Sequence, residues 1–144
     1  MHSFLEHITI NVSNPSKSLP FYKEFFRYFE YDVFKEDEER LAMRKKGTPD
    51  FWVVATEEEY LKNKFNRGNT GINHFAFHVA SREEVDRFYN EFLQPKNIPT
   101  LYSTPKPFPQ YTPDYYAVFF EDPDRMKLEV CFISPERYNK FYEL

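Results

Sequence analysis

The sequence contains only three glycines and one cysteine among its 144 residues. The shortage of glycine excludes the glycine-rich loops that cradle phosphates in P-loop and Rossmann proteins. A lone Cys131 excludes a disulfide framework within the chain and predicts a reducing compartment, which we take to be the cytoplasm. No hydrophobic run approaches the roughly 20 residues of a membrane-spanning helix, and the first residues do not resemble a signal peptide. We therefore expect a soluble protein without a membrane partner.

Basic residues are also too few for a nucleic-acid surface. The chain has 19 lysines and arginines against 23 acidic residues, which gives a net charge of −4, whereas nucleic-acid binding requires clustered positive charge. Aromatic residues, in contrast, are abundant: 20% of the chain is Phe, Tyr or Trp. Many of these rings must fill the core, but so many also suit an apolar cavity. The expected partner is therefore a small molecule.

The chain contains an internal repeat. Two pairs of segments align at one constant offset, the 67 residues that separate His7 from His74: 5–12 with 72–79, and 21–26 with 88–93. A histidine and two aromatic clusters would rarely keep one offset by chance, and such self-similarity indicates repeated structural units. We predict a single domain over 1–144 that consists of two modules, about residues 1–68 and 69–144.

Each module has the pattern strand, helix and three further strands. The first strand alternates polar and apolar residues, which is typical of a half-buried strand. Asn14 followed by Pro15 predicts the start of the first helix, in which Pro20 is expected to cause shortening or a kink. Ser81 and Glu84 form a capping box for the second helix. The further strand candidates are residues 31–35, 41–45, 51–55, 100–103, 115–121 and 126–132, with a proline-rich loop at 105–113 and a last helix at 135–142.

The predicted fold class is α+β, with the two βαβββ modules joined into a curved mixed-sheet half-barrel and the helices outside. If the apolar face of each first strand covers its helix, the opposite face lines the concavity. The residues on that face are His7, Thr9, Asn11, His74, Ala76 and His78. Glu129 adds a carboxylate within the apolar last strand, where burial is costly unless the group is paired or binds a metal.

Two histidines and one carboxylate on rigid strands form a facial triad for a divalent metal. His7, His74 and Glu129 are the predicted ligands, and Fe, Mn, Zn, Ni and Co ions are all compatible with them. The alternative for each histidine is simple packing, but the repeat-equivalent positions favour the metal. His78 lies too far along its strand to be a ligand and is predicted to face the substrate. Cys131 has no evident partner for nucleophilic chemistry and is predicted to be a packing residue.

These features resemble the vicinal oxygen chelate superfamily, which includes glyoxalase I, extradiol dioxygenases, fosfomycin-resistance thiol transferases and bleomycin-resistance proteins. The resemblance covers nearly the whole chain and is carried by five segments: 5–9, 18–22, 73–77, 115–124 and 128–130. It implies paired βαβββ modules with a divalent metal that chelates substrate through adjacent oxygen atoms. It also implies that His7, His74 and Glu129 hold the metal, and that the chain forms a homodimer.

The sequence departs from each well-known subclass. Glyoxalase I usually adds a glutamate from the last strand of module one, but residues 51–55 contain no carboxylate. Extradiol dioxygenases carry a tyrosine ten positions before the ligand glutamate, where this chain has Phe119. The His7 and Thr9 start is similar to that of the fosfomycin-type transferases, but their potassium-binding loop has no counterpart. The resemblance therefore does not select one reaction.

The predicted function is metal-dependent lyase, isomerase, dioxygenase or transferase chemistry on a small molecule with vicinal oxygens. Tyr115 and His78 are the candidates for proton transfer. The residues predicted to contact the substrate are Thr9, Asn11, Trp52 and Phe119. The alternative is a metal-free binding protein of the bleomycin-resistance type, and a third possibility is a degenerate member whose histidines only pack.

Overall fold

The computed structural model describes residues 3–137, and the chain divides after Phe65 into two compact units. The elements of the first unit are β1 (His7–Val12), α1 (Pro15–Tyr28), β2 (Asp32–Glu36), β3 (Arg40–Arg44), β4 (Asp50–Ala55) and a short 3-10 helix (Glu58–Tyr60). Its sheet has the order β1-β4-β3-β2. The β1–β4 pair is parallel and the other two pairs are antiparallel.

The second unit repeats this arrangement. Its elements are β5 (His74–His78), α2 (Arg82–Phe88) with a following π-helical turn (Tyr89–Leu93), β6 (Thr100–Pro107), β7 (Tyr116–Glu121) and β8 (Lys127–Phe132). The sheet order is β5-β8-β7-β6, again with one parallel pair, β5–β8. The α+β class and the two βαβββ modules are therefore confirmed. Of the helix predicted at 135–142, residues 135–137 are helical and the remainder lies outside the described residues.

Helix α1 begins as predicted but does not end early. Asn14 is the N-cap residue and Pro15 occupies the first helical position. Of the two effects expected of Pro20, shortening is wrong, because the helix continues to Tyr28, and a kink stays a prediction. Pro20 is exposed and removes only one backbone donor, whereas the neighbouring rings of Tyr22 and Phe25 are fully buried. Burial of these large apolar side chains outweighs the lost hydrogen bond.

Helix α2 begins with the predicted cap. The Ser81 hydroxyl accepts a hydrogen bond from the Glu84 N–H at 3.3 Å. The Glu84 carboxylate accepts from the Ala80 N–H at 2.9 Å, one residue earlier than in a standard capping box. The apolar stripe of this helix and its π-helical turn is buried, namely Val85, Phe88, Phe92 and Leu93.

Strand β6 is longer than predicted and irregular. It extends to Pro107, although the sequence suggested a loop from residue 105. Its pairing with β7 shifts between Leu101 and Lys106, and Tyr102 and Ser103 within this bulge adopt φ angles of 59° and 53°. Proline fits here because β6 is the edge strand of its sheet.

The two faces of the strands differ as the alternation predicts. In β1, Ile10 and Val12 are buried and Ile8 is half-buried, whereas His7, Thr9 and Asn11 are exposed. In the second unit a separate apolar cluster lies on the face of β7 and β8 that carries Glu129. Its buried members are Phe108, Ala117, Phe119 and Cys131, with Leu101 and Tyr115 packed against them. No helix within residues 3–137 is long and apolar enough to cross a membrane.

Candidate functional site

Glu129 is a buried carboxylate in the middle of β8. Only 2% of the residue is exposed, and its register neighbours are Ala76 in β5 and Phe119 in β7. Burial raises the pKa of Glu129, because the charged form loses hydration. Within residues 3–137, neither lysine nor arginine forms an ion pair with it. The hydrogen bond from Tyr115 and the charge of Lys127 oppose this rise in pKa, and the direct contacts of the carboxylate are with Tyr115 and His74.

Tyr115 supplies one partner of this carboxylate. It directly precedes β7, and its hydroxyl donates a hydrogen bond of 2.6 Å to Glu129 Oε1. Burial, followed by the hydrogen bond to Glu129, raises the pKa of Tyr115, so the phenol stays protonated and acts as a donor. The nearby Cys131 is buried, and burial raises its pKa to about 11. A protonated thiol in an apolar cluster agrees with a packing residue.

His74 is the second partner of Glu129. The tautomer of its imidazole ring is defined by neighbouring groups. The Asn73 amide nitrogen donates to the Arg67 carbonyl at 3.1 Å, which directs the Asn73 Oδ1 atom toward His74 Nδ1 at 2.7 Å. An amide oxygen only accepts, so Nδ1 carries the proton and Nε2 presents a lone pair. Burial, with a smaller contribution from Lys127, lowers the pKa of His74 and favours this neutral form.

The lone pair of His74 faces the carboxylate. His74 Nε2 lies 3.3 Å from Glu129 Oε2, and two acceptors at this distance require a proton or a cation between them. Imidazole nitrogen with carboxylate oxygen suits Fe(II), Mn(II), Zn(II), Ni(II) or Co(II). Both groups also carry the supporting hydrogen bonds typical of metal ligands, from Asn73 to the ring and from Tyr115 to the carboxylate. The pair therefore fits a divalent metal.

The described residues place no third metal ligand next to His74 and Glu129. Among residues 3–137, no three His, Cys, Asp or Glu side chains form a group that could hold a metal. His7, the third predicted ligand, is an exposed residue at the start of β1 in the first unit. Its Nδ1 atom contacts the Glu6 carboxylate, so its Nε2 atom is the nitrogen left for another partner.

The other predicted residues of the first unit lie on one face of its sheet. Thr9 and Asn11 are exposed on β1, and Thr9 is the register partner of the half-buried Trp52 in β4. The indole of Trp52 makes an edge contact with Phe34, at 6.1 Å between ring centroids. This face thus carries polar groups and one large ring.

Phe119 lies next to Glu129 on the neighbouring strand, whereas His78 lies further along β5. Phe119 is only 3% exposed and belongs to the apolar cluster beside Glu129. His78 is exposed at the end of β5, where its Nε2–H donates to the Ile133 carbonyl at 3.2 Å. Its register partner is Cys131 rather than Glu129. The structure therefore brings together His74, Glu129, Tyr115 and Phe119 and places His78 two register pairs beyond Glu129 along the strands.

Sequence reasoning missed two side chains beside the pair. Asn73 orients the His74 ring, and the signal for it was the polar residue that precedes the histidine in both repeats, Glu6 and Asn73. Lys127 lies on the same face of β8 as Glu129, since it is two residues away, and it is the register partner of His74. The alternation of side chains along β8 was enough to predict that Lys127 and Glu129 share a face.

Comparison with known proteins identifies relatives along nearly the full chain. Residues 4–130 match the family model of the Glyoxalase/Bleomycin resistance protein/Dioxygenase superfamily. The uncharacterized Bacillus subtilis (strain 168) protein YqjT is 32% identical over 128 residues, covering 88% of this chain and 96% of that protein. A crystal structure of a candidate glyoxalase from Bacillus halodurans superposes with a TM-score of 0.81 at 34% identity, covering 90% of this chain and 95% of the other.

A more distant solved structure shares the fold. The glyoxalase/bleomycin resistance protein from Albidiferax ferrireducens T118 has a TM-score of 0.68 at 16% identity, over 91% of this chain and all of that one. At this level of identity the similarity concerns the fold alone. The agreement of strand order and helix placement in both units is thus a property shared with proteins of widely different sequence.

Proposed function

The chain belongs to the Glyoxalase/Bleomycin resistance protein/Dioxygenase superfamily, and we propose that it is a divalent-metal-dependent enzyme acting on a small molecule with adjacent oxygen atoms. The observation that supports this proposal most is the lone pair of His74 Nε2 facing Glu129 Oε2 at 3.3 Å. We propose His74 and Glu129 as ligands, with His7 as the third on the strength of the repeat. His7 could come from the same chain or from a partner chain.

The proposed chemistry assigns a separate task to each neighbouring group. A bound divalent ion would act as a Lewis acid toward substrate oxygen atoms. Before substrate binds, the protonated Tyr115 hydroxyl donates to Glu129 Oε1, which leaves Oε2 directed at His74. Tyr115 and His78 are the proposed groups for proton transfer, and Phe119 supplies an apolar wall that excludes water. In the first unit, Thr9, Asn11 and Trp52 are proposed substrate contacts.

The reaction class stays open among lyase or isomerase, dioxygenase and transferase chemistry. One observation favours a second candidate, a metal-free binding protein of the drug-sequestering type. An apolar cluster that contains the rings of Phe108, Phe119 and Tyr115 lies on the face that carries Glu129, and aromatic walls are typical of small-molecule pockets. The two candidates differ in a measurable way, because only the enzyme needs the metal.

We also propose that the protein is a cytoplasmic homodimer. The described sheets have open edges at β1 and β2 and at β5 and β6, and open sheet edges are usually paired or covered. The single buried cysteine agrees with a reducing compartment. Light scattering that gives the 17.5 kDa mass of one chain at micromolar concentration would contradict the dimer.

Metal binding is the experiment that tests the proposed function. Protein purified without chelators should contain about one divalent ion per chain by elemental analysis. Addition of Zn²⁺ or Mn²⁺ to metal-free protein should raise its melting temperature, because a ligand that binds only the folded state stabilises it. His74→Ala should abolish this rise, whereas the matched control His78→Ala, on the same strand, should keep it. A wild type that binds no divalent ion favours the metal-free binder instead.

A further inference from the structure

Lys127 is a cation next to the candidate metal site. The carboxylate opposite it on the neighbouring strand already forms ion pairs with two arginines. Lys127 lies on the same face of β8 as Glu129, and its cross-strand neighbour in β7 is Glu121. Glu121, however, pairs with Arg67 and also approaches Arg125 Nε at 3.5 Å. Within residues 3–137, no carboxylate lies within ion-pair distance of Lys127, although its charge acts through space on Glu129. Three cations therefore surround one carboxylate at this end of the sheet, in a protein with a net charge of −4.

The Lys127 ammonium group is held over aromatic rings. Its Nζ atom lies 5.5 Å from the ring centroid of Phe119 and 5.9 Å from that of Tyr102. The two rings meet edge to face, with 5.5 Å between their centroids. Phe119 is buried, whereas Tyr102 is 52% exposed. The ammonium group thus lies beside one buried ring and one half-exposed ring, at distances at which a cation is attracted to an aromatic face.

The backbone is strained where it presents Tyr102. Tyr102 and Ser103 both adopt left-handed φ angles, 59° and 53°, which residues with side chains rarely do. Thr104 holds the bulge in place, since its hydroxyl donates to the Leu101 carbonyl at 2.8 Å and accepts from the Phe119 N–H at 3.0 Å. Strain of this kind persists where the surrounding structure enforces it and concentrates at ligand sites. The bulge turns an exposed phenol toward the lysine.

We propose that Lys127 and Tyr102 form a subsite that binds an anionic group of the substrate, beside His74 and Glu129. The ammonium group supplies the charge, and the Tyr102 hydroxyl supplies a hydrogen-bond donor. Arg67 reinforces the positive potential, because its guanidinium group interacts with the Tyr102 phenol as well as with Glu121. This inference rests on the proposed function and narrows its substrate class to organic anions, such as carboxylates, that also carry adjacent oxygens.

The first test uses metal-free protein and two probes of nearly equal shape, benzoate and benzamide, followed by NMR titration. Wild type should bind benzoate about tenfold more tightly than benzamide, with the largest shift changes at Lys127 and Tyr102. Lys127→Met should remove this preference and Lys127→Arg should keep it. The control Lys96→Met removes the same charge from another lysine over a ring, at 5.1 Å from the Phe92 centroid, and should behave as wild type. Equal binding of both probes by wild type, or binding of neither, would overturn the subsite.

A second test separates the subsite from the metal proposal. Protein loaded with Mn²⁺ should bind 3,4-dihydroxybenzoate about tenfold more tightly than catechol, and Lys127→Met should bind the two equally. If the protein takes up no divalent ion but prefers benzoate, the metal proposal fails and the anion subsite stands. If the loaded protein binds both catechols with equal affinity, the subsite fails and the metal proposal stands.

Discussion

The two units share a topology but treat their buried carboxylates differently. In the first unit, Asp50 is 7% exposed and accepts hydrogen bonds from the guanidinium of Arg44, with its Nε 2.9 Å from Oδ1. In the second, Glu129 is 2% exposed, and its described partners are His74 and Tyr115. Asp50 is in direct contact with a guanidinium cation, whereas Glu129 contacts an imidazole nitrogen and a phenol and is influenced by the Lys127 cation only through space. The second unit is therefore the one whose charge balance leaves room for a metal.

The same contrast appears at matched positions of the parallel strand pairs. Thr9 pairs with Trp52 in the first unit, and the repeat-equivalent Ala76 pairs with Glu129 in the second. A tryptophan thus takes the place that a carboxylate has in the other unit. Because the repeat provides the same backbone twice, a difference in side chains at equivalent positions points to a difference in role between the two units.

Loss of the guanidinium cation should have the largest effect on stability. Arg44→Met leaves Asp50 buried without its partner and should lower the free energy of unfolding. The loss stays below that of a fully buried pair, because the Arg44 side chain is half exposed. Urea denaturation of metal-free protein measures it, and the double variant with Asp50→Asn should recover part of the loss. A single variant as stable as wild type would show that the pair is not needed.

The residues that precede the two histidines offer a direct comparison of the units. Asn73→Leu removes the acceptor that fixes the His74 tautomer and should weaken Zn²⁺ binding about tenfold. Glu6→Leu makes the matching change beside His7. If both histidines hold the ion, both variants should bind it more weakly in calorimetric titrations. A normal affinity for Glu6→Leu would restrict the site to the second unit, and normal affinity for Asn73→Leu would contradict the role of the tautomer.

Removal of the phenol next to Glu129 should have a moderate effect. Tyr115→Phe deletes the 2.6 Å hydrogen bond to Oε1 and should cost about 1 kcal/mol of unfolding free energy, together with a weaker metal affinity. Tyr116→Phe is the matched control, since its hydroxyl also donates to a carboxylate, that of Asp86 at 2.8 Å. It should leave metal binding unchanged. Equal metal affinities for the two variants would remove Tyr115 from the site.

The smallest expected effect is on the stability of the second unit at acidic pH. Hydrogen bonds from Ser134 lower the pKa of Asp114 from 3.8 to about 2. A depressed pKa stabilises the folded state above pH 3.8, and this contribution disappears as the pH falls toward 2. Asp114→Asn should therefore be less stable than wild type at neutral pH, and the difference should vanish in that acidic interval. Asp32→Asn, on the exposed strand β2, is the control, and a difference that persists at pH 2 would contradict the assignment.

Much of the fold could be predicted from the sequence, because the repeat is explicit. The 67-residue offset and strand alternation gave both βαβββ units, and the Ser81–Glu84 cap was confirmed. The expected shortening of α1 at Pro20 was wrong, because burial of the neighbouring rings outweighs the low helix propensity of proline. The extension of β6 was missed because its bulge depends on the Thr104 hydroxyl, which contacts Phe119, a residue distant in the sequence. Long-range hydrogen bonds of this kind have no local signature.

The candidate site was predictable only in part. Strand alternation placed His74 and Glu129 on one face, and their proximity within the second unit agrees with that prediction. The orientation of the His74 ring depends on the Arg67 carbonyl, which the sequence could not place. The joint use of His7 and His74 stays a prediction from the repeat.

The most direct measurement is anomalous X-ray diffraction from crystals soaked in Mn²⁺ or Zn²⁺. We expect one anomalous peak per chain, about 2.0–2.2 Å from both His74 Nε2 and Glu129 Oε2. The same soak of Glu129→Gln crystals should show no peak at that position. A wild-type peak that contacts neither side chain, or a Glu129→Gln peak as strong as that of wild type, would contradict this expectation.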